Sequence, residues 1–351
     1  MTTAAPPIRP LARTARSQQR LRLLWPALAL VLLLAFNLLR FEPGGAARVT
    51  GEFFDVQVRD GHLYGSLIDI LNRGAPILLT GLGMTLVIAT GGVDLSVGAV
   101  VAIAGSVAAV LLTGGWSVGA AVVAALAVCL AAGVWNGLLV AVGGVQPIVA
   151  TLVLMVAGRG IAQLLTEGQI PTLEGVAPAF GFIGGGYVLG LPFSLTLIAI
   201  VFVAIVLLTR GTALGLFIEA VGDNERASRC AGISARAVKI FAYAFSGLCA
   251  GLAGLIYASN IRAADANNAG MYLELDAILA AVIGGTSLTG GRFSLVGAVI
   301  GALVIQTLNI TILRLPIPVD YNLVVKAVVV LAVCLLQSER VRLPALRRAC
   351  A

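Results

Sequence analysis

Charge is what this chain has least of. Only 11% of its 351 residues are Asp, Glu, Lys or Arg, against about a quarter in a typical soluble domain. Charged side chains cover a water-facing surface, so a soluble globule is excluded. Disorder needs few apolar residues and is excluded too, because 59% of this chain is hydrophobic. Histidine is almost missing: His62 is alone, which removes a His-based triad. The five cysteines, Cys129, Cys230, Cys249, Cys334 and Cys350, show no C-x-x-C spacing. That argues against a zinc site or a disulfide framework and for small apolar packing residues. Lysine occurs only at Lys239 and Lys326, and no G-x-x-x-x-G-K-[ST] phosphate loop is present. If ATP drives anything here, another chain must hydrolyse it. No resident metal or cofactor is expected.

What is present is a succession of apolar segments, the mark of a polytopic membrane protein, with 42 glycines that let helices approach closely. Residues 1–22 hold Arg9, Arg13, Arg16, Arg20 and Arg22 and no acid. The apolar run Leu23–Leu39 follows, about 17 residues or roughly 25 Å as helix, just enough to cross the hydrocarbon core. A cleaved signal peptide is the rival reading. The later runs favour an uncleaved first span with a cytoplasmic basic tail. The mixed-charge stretch Phe41–Ser66 then reads as an external loop.

Further spans are predicted at about 67–90, 95–113, 117–143, 147–165 and 192–209. The connections Gly114–Gly115 and Glu167–Leu191 carry no Lys or Arg, as external loops should. The polar segment Arg210–Lys239 has a basic excess that suits the cytoplasm. After it come segments at about 240–261, 275–290, 294–313 and 322–337. The tail, with Arg340, Arg342, Arg347 and Arg348, also belongs inside. Ten spans fit these constraints, or eight if a pair of short segments is re-entrant; 275–290, broken by Gly284, Gly285 and Gly290, is the weakest. The expected domains are a basic tail over 1–22, one transmembrane domain over 23–337 with its loop at 210–239, and a basic tail over 338–351. The net charge of +7 is thus topological, and no nucleic-acid footprint is expected.

One internal echo stands out. Gly91-Gly92-x4-Val97-Gly98-Ala99-Val100 recurs as Gly290-Gly291-x4-Val296-Gly297-Ala298-Val299. By the span count both copies run in the same direction, which does not suit an inverted repeat.

Few residues could line a polar path. Asp94 is the only acid between Asp69 and Glu167. It either caps the next helix or, with Ser96, lines a cavity at a broken helix. Arg159 lies deep in its span, where a guanidinium pairs internally or faces an aqueous path. Lys326 is expected to snorkel towards the interface. The uncharged polar residues Trp135, Asn136, Gln146, Gln163, Gln306 and Asn309 fall in or near spans. Amides donate and accept, as sugar hydroxyls require, and they also glue helices together. No paired membrane carboxylates appear, which weakens a proton-coupled carrier. The stretch Glu219–Ile233 reads as a short amphipathic helix ended by Gly232. It is either a solvated loop or a docking element for a soluble partner.

Gly91-Gly-Val-Asp-Leu-Ser-Val-Gly98 resembles the signature of bacterial ABC importer permeases of the ribose and simple-sugar type. Gln146-Pro-Ile-Val-Ala-Thr-Leu152 running on to Arg159-Gly160, Tyr272-Leu-Glu-Leu-Asp-Ala-Ile278, Gly284-Gly-Thr-Ser-Leu-x-Gly-Gly291 and Val325-Lys-Ala-Val328 extend the likeness over roughly 65–340. Within that family the chain is most similar to galactofuranose importer permeases, through Asp60-Gly61, Gly65–Asn72, Gly168-Gln-Ile170 and Arg262–Gly270. Where ribose-type members usually carry a proline before the glycine of that last motif, this chain has Asn267-Asn268.

The resemblance implies an all-α membrane helix bundle of the type II ABC importer fold in a bacterial inner membrane, both termini cytoplasmic. It implies a non-enzymatic subunit that imports a monosaccharide, galactofuranose or a similar furanose, by alternating access. The same machinery for a pentose, another hexose or a nucleoside is the near alternative. The implied partners are a second permease copy or sister permease, an ATPase with two nucleotide-binding halves, a periplasmic sugar-binding protein and membrane lipid. The ATPase would dock through Glu219, Gly222, Asn224, Ala227 and Gly232. The rival classes are a stand-alone secondary carrier and an intramembrane enzyme, and the latter lacks any convergent acid/base set.

Overall fold

A computed structural model describes residues 24–37, 57–59, 62–314, 321, 324–328 and 331. Both basic tails and most of the segment read at 322–337 lie outside them. The described chain is mostly helical, as 59% apolar composition in lipid demands, because a helix satisfies its own backbone.

Helix α1 (Leu24–Asn37) precedes a small hairpin of β1 (Gln57–Arg59) and β2 (His62–Tyr64). The helices α2 (Ser66–Arg73) and α3 (Ala75–Ala89) meet at a 48° bend. Gly74 and Pro76 explain it, since a proline in the first turn cannot donate to the preceding turn. Next come α4 (Val97–Thr113), α5 (Val118–Ala141) and α6 (Pro147–Leu165). A second hairpin, β3 (Tyr187–Val188) with β4 (Leu191–Pro192), leads into α7 (Phe193–Gly211). Two short helices follow, α8 (Leu214–Asp223) and α9 (Glu225–Cys230). Three longer helices come next, α10 (Ala235–Ile261), α11 (Leu273–Ile283) and α12 (Leu295–Arg314), and residues 324–328 are helical too.

Five of these helices are long and apolar enough to cross a membrane, six if α2 and α3 form one bent crossing. Helices α1 and α4 are apolar but shorter. Every apolar segment read from the sequence between 67 and 313 contains a helix. The segment at 275–290 holds only the 11 residues of α11, about half the thickness of a hydrocarbon core. It stops at Gly284–Gly285, so length alone does not make ten full crossings.

Helices α10 and α12 lie at the centre of the bundle with α3, every residue of which is buried. The apolar window of α10 is 61% buried and that of α12 is 67% buried, against 22% for each of α5, α6 and α7. Lipids attract an apolar helix as well as another helix does, so close approach must supply the packing. Glycines supply it: a Cβ on Gly133 of α5 would press 3.1 Å from the Cα of Gly247 on α10.

Candidate translocation site

The loop between α3 and α4 buries the polar residues that the sequence singled out. Asp94 and Ser96 are 2% and 1% exposed, and Asn136 on α5 is fully buried. Asp94 Oδ1 accepts from the Ser96 hydroxyl at 2.6 Å and from the Ser96 N–H at 3.0 Å. Its Oδ2 accepts from Ser246 of α10 at 2.8 Å, and Asn136 Nδ2 donates to the Ser96 hydroxyl at 2.9 Å. The Tyr243 hydroxyl donates to the Val93 carbonyl at 3.3 Å. Capping thus describes Asp94 only in part. It takes one backbone N–H, but Ser96 is the cap residue of α4, and the carboxylate chiefly joins the start of α4 to α10, with α5 held through the Ser96 hydroxyl. Asn136 Oδ1 is left buried without a hydrogen-bond partner among the described residues.

Two of the pathway candidates lie elsewhere. Trp135 is 56% exposed on the outside of α5. Neighbours on a helix point about 100° apart, so burying Asn136 turns Trp135 outward. Gln146 is exposed at the start of α6, with no side-chain cap bond. Neither joins the Asp94 cluster.

Arg159 takes the structural option. Its Nη1 donates to the Ala269 carbonyl at 2.5 Å and the Ala266 carbonyl at 3.1 Å. One turn on, Gln163 donates to Asn267 Oδ1 at 2.7 Å. Both hold the 262–272 loop, where Asp265 collects bonds from Asn267 and Asn268. The Asn268 side-chain amide bond holds the Asp265 carboxyl below its usual range. The Asn267-Asn268 pair is therefore part of the loop's internal scaffold.

Gln306 and Asn309 of α12 do come together with open space. They line a cavity of about 370 Å³ with Arg73, Lys326, Ile310, Ile312 and Leu313. Gln306 is buried and Asn309 half-buried. Lys326 does not snorkel: it forms an ion pair with Asp276 of α11, both side chains being largely buried. A partner inside the bundle outweighs reaching for the interface. The arrangement offers amide donors and acceptors, the groups that hydroxyls match, beside Arg73 and the Asp276-paired Lys326.

At the other polar region, the single helix expected over 219–233 is two. Asn224 is extended and its side chain caps α9 by accepting from the Ala227 N–H at 3.0 Å. Glu219 and Ala227 are exposed, and so is Gly232, which has φ +82°. Glu225 pairs with Arg229 and, at 2.6 Å, with Lys239. The Lys239 hydrogen bond keeps the Glu225 carboxyl below its ordinary range. Gly222, by contrast, is packed against the bundle.

Sequence reading missed Ser246, Tyr243 and Arg73, and it missed Asp276 as the partner of Lys326. Asp276 had a signal, since with Glu274 it opens an otherwise apolar run. Ser246 had none, since a serine in a glycine-rich helix is ordinary.

Residues 66–334 match the family described as the branched-chain amino acid transport system / permease component. The chain is 54% identical to the galactofuranose transporter permease protein of Escherichia coli K12, over 83% of this chain and 85% of that protein. It is 42% identical to the fructose import permease protein of Bifidobacterium longum NCC 2705, over 80% of each. The ribose import permease protein of Escherichia coli K12 is also 42% identical, over 78% of this chain and 86% of that one. No solved structure matches. A match over 66–334 that covers the polar cluster, the cavity and the α8–α9 segment alike places the chain in the branched-chain amino acid transport system / permease component family.

Proposed function

We propose that this protein is the transmembrane permease subunit of an ATP-driven ABC importer that brings a monosaccharide, galactofuranose or a similar furanose, into the cytoplasm. The observation that carries this reading is the 54% identity to a galactofuranose transporter permease over 83% of the chain. Fructose and ribose permeases at 42% support the wider sugar class. The cavity beside Gln306 and Asn309 supports it chemically, because a sugar's hydroxyls both donate and accept.

In this reading the chain sits in a bacterial inner membrane with both tails and the 210–239 segment in the cytoplasm. It pairs with a second permease chain. An ATPase with two nucleotide-binding halves docks on the exposed face of α8 and α9, around Glu219, Asn224, Ala227 and Gly232. A periplasmic sugar-binding protein delivers cargo opposite. Closure of the ATPases moves α8 and α9 and reorients the bundle, and the sugar passes unchanged. Gln306 and Asn309 contact the sugar, whereas Asp94, Ser96 and Asn136 hold the helices that open and close around it. Arg159 anchors the outer loop.

Co-expressing the chain with its ATPase and capturing the complex tests the docking. The wild-type pair should co-purify, and Gly232→Arg should abolish capture and uptake while insertion persists. ATPase capture unchanged by Gly232→Arg would refute the docking face. Sugar uptake by the chain alone, without ATPase or ATP, would instead establish a secondary carrier.

A further inference from the structure

The two glycine pairs of the sequence echo meet in space, and the end of α8 lies on the second pair and on Ala89 at the end of α3. The Gly291 N–H donates to the Ala89 carbonyl at 3.0 Å, so the break before α12 is bonded to the end of α3. Gly91, Gly290 and Gly291 all have positive φ, at +81°, +85° and +79°, a conformation that favours glycine. A Cβ on Gly290 would lie 2.7 Å from the Gly222 carbonyl oxygen and 3.0 Å from the Gly91 nitrogen. One on Gly291 would lie 3.1 Å from the Asp223 Cα. One on Gly222 would overlap the Ala89 carbonyl oxygen and the Gly291 nitrogen. Backbone touches backbone at every point, with no flexible side chain between to absorb a displacement.

What hangs from this junction matters. Five residues beyond Ala89 is Asp94, whose oxygens bind α4 and α10. Four residues beyond Gly291, α12 begins, and it carries Gln306 and Asn309 at the cavity. A shift of α8 therefore reaches the lock at Asp94 and the wall of the cavity through one contact.

We infer that Gly222, Gly290 and Gly291 are positioning residues for transport: a rigid junction that passes movement of the α8–α9 segment to the roots of α4 and α12 together. This rests on the proposed reading that an ATPase moves that segment. Gly222 then has a role distinct from the exposed docking residues beside it. It relays what they receive.

The test uses the assembled importer in lipid vesicles. Gly222→Ala should keep the ATPase bound and hydrolysing while sugar uptake per ATP falls about tenfold or more, the scale of a coupling energy between sites. A structural defect alone would lower both activities together. Gly119→Ala, whose Cβ would meet nothing within 4 Å, should stay within about twofold of the unaltered protein. Hydrogen exchange on the unaltered complex provides the second reading, independent of whether Gly222→Ala folds. Peptides covering 287–294 should remain equally protected in nucleotide-free and ATP-trapped states, because the junction moves as one body. Normal uptake per ATP in Gly222→Ala, or loss of 287–294 protection in either state, overturns the relay. A failure of docking shows separately, as ATPase capture that Gly232→Arg does not disturb.

Discussion

The Asp94 cluster and the Gln306–Asn309 cavity are built from similar polar groups put to opposite uses. Around Asp94 the groups bond chiefly to one another: two serine hydroxyls and one N–H donate to the carboxylate, and an asparagine donates to one of those serines, its own Oδ1 alone left over. Around Gln306 and Asn309 the groups face a space of about 370 Å³. Polarity in a membrane bundle thus does not by itself mark a path. The sealed set should control stability, and the open one should control transport.

The largest effect expected is at the sealed set. Asp94→Ala removes the acceptor for three buried donors and should destabilise the protein by about 3 kcal/mol or more, read as a lowered unfolding midpoint in detergent. Asp94→Asn keeps an acceptor and should lose less. Wild-type stability in Asp94→Ala, with uptake abolished, would collapse the distinction between the two sites.

The ion pair behind the cavity should come next. Lys326→Met leaves the Asp276 carboxylate buried without its cation, at a cost of about 3 kcal/mol, and Asp276→Leu added to it should recover most of that. Thermal unfolding of the two variants checks this. No recovery in the double variant would mean that the pair does more than neutralise itself.

Asn309→Ala sharpens the contrast from the other side. Unfolding should be nearly unchanged, whereas half-saturation for sugar should rise about tenfold, as the loss of one or two hydrogen bonds requires. A stability loss with unchanged uptake kinetics would make Asn309 helix glue instead.

The smallest effect is at the exposed α8–α9 segment. The folded-state Glu225 carboxyl titrates below its unfolded value because of its Lys239 bond. Its stabilisation is therefore complete above the ordinary glutamate pKa and fades as pH falls through the depressed one. Solvent screening keeps it modest. Exchange of the 225–230 amides should rise on acidification through that window, and Glu225→Gln should remove the dependence.

Most of the fold was legible in the sequence because composition in lipid dictates helices, and glycine and proline punctuate them. The spans at 95–113, 117–143 and 147–165 correspond to α4, α5 and α6 within a few residues. The split of 219–233 at Asn224 was harder to see, since one cap residue decides it. At the site, Asp94 and Asn136 were readable as rare polar groups in apolar runs. Their partner Ser246 was not, because pairing across 152 residues is a fact of packing. Trp135 and Asn136 are neighbours in sequence yet point about 100° apart on their helix, and only the helix's placement reveals which of them is inside.

Furanose import by a coupled machine is tested most directly in vesicles holding the permease with its ATPase inside and its binding protein outside. Labelled galactose should accumulate only with ATP, and excess galactose locked in the furanose ring as its methyl glycoside should suppress it while the methyl galactopyranoside does not. Accumulation without ATP, or competition by the pyranoside alone, would contradict the account.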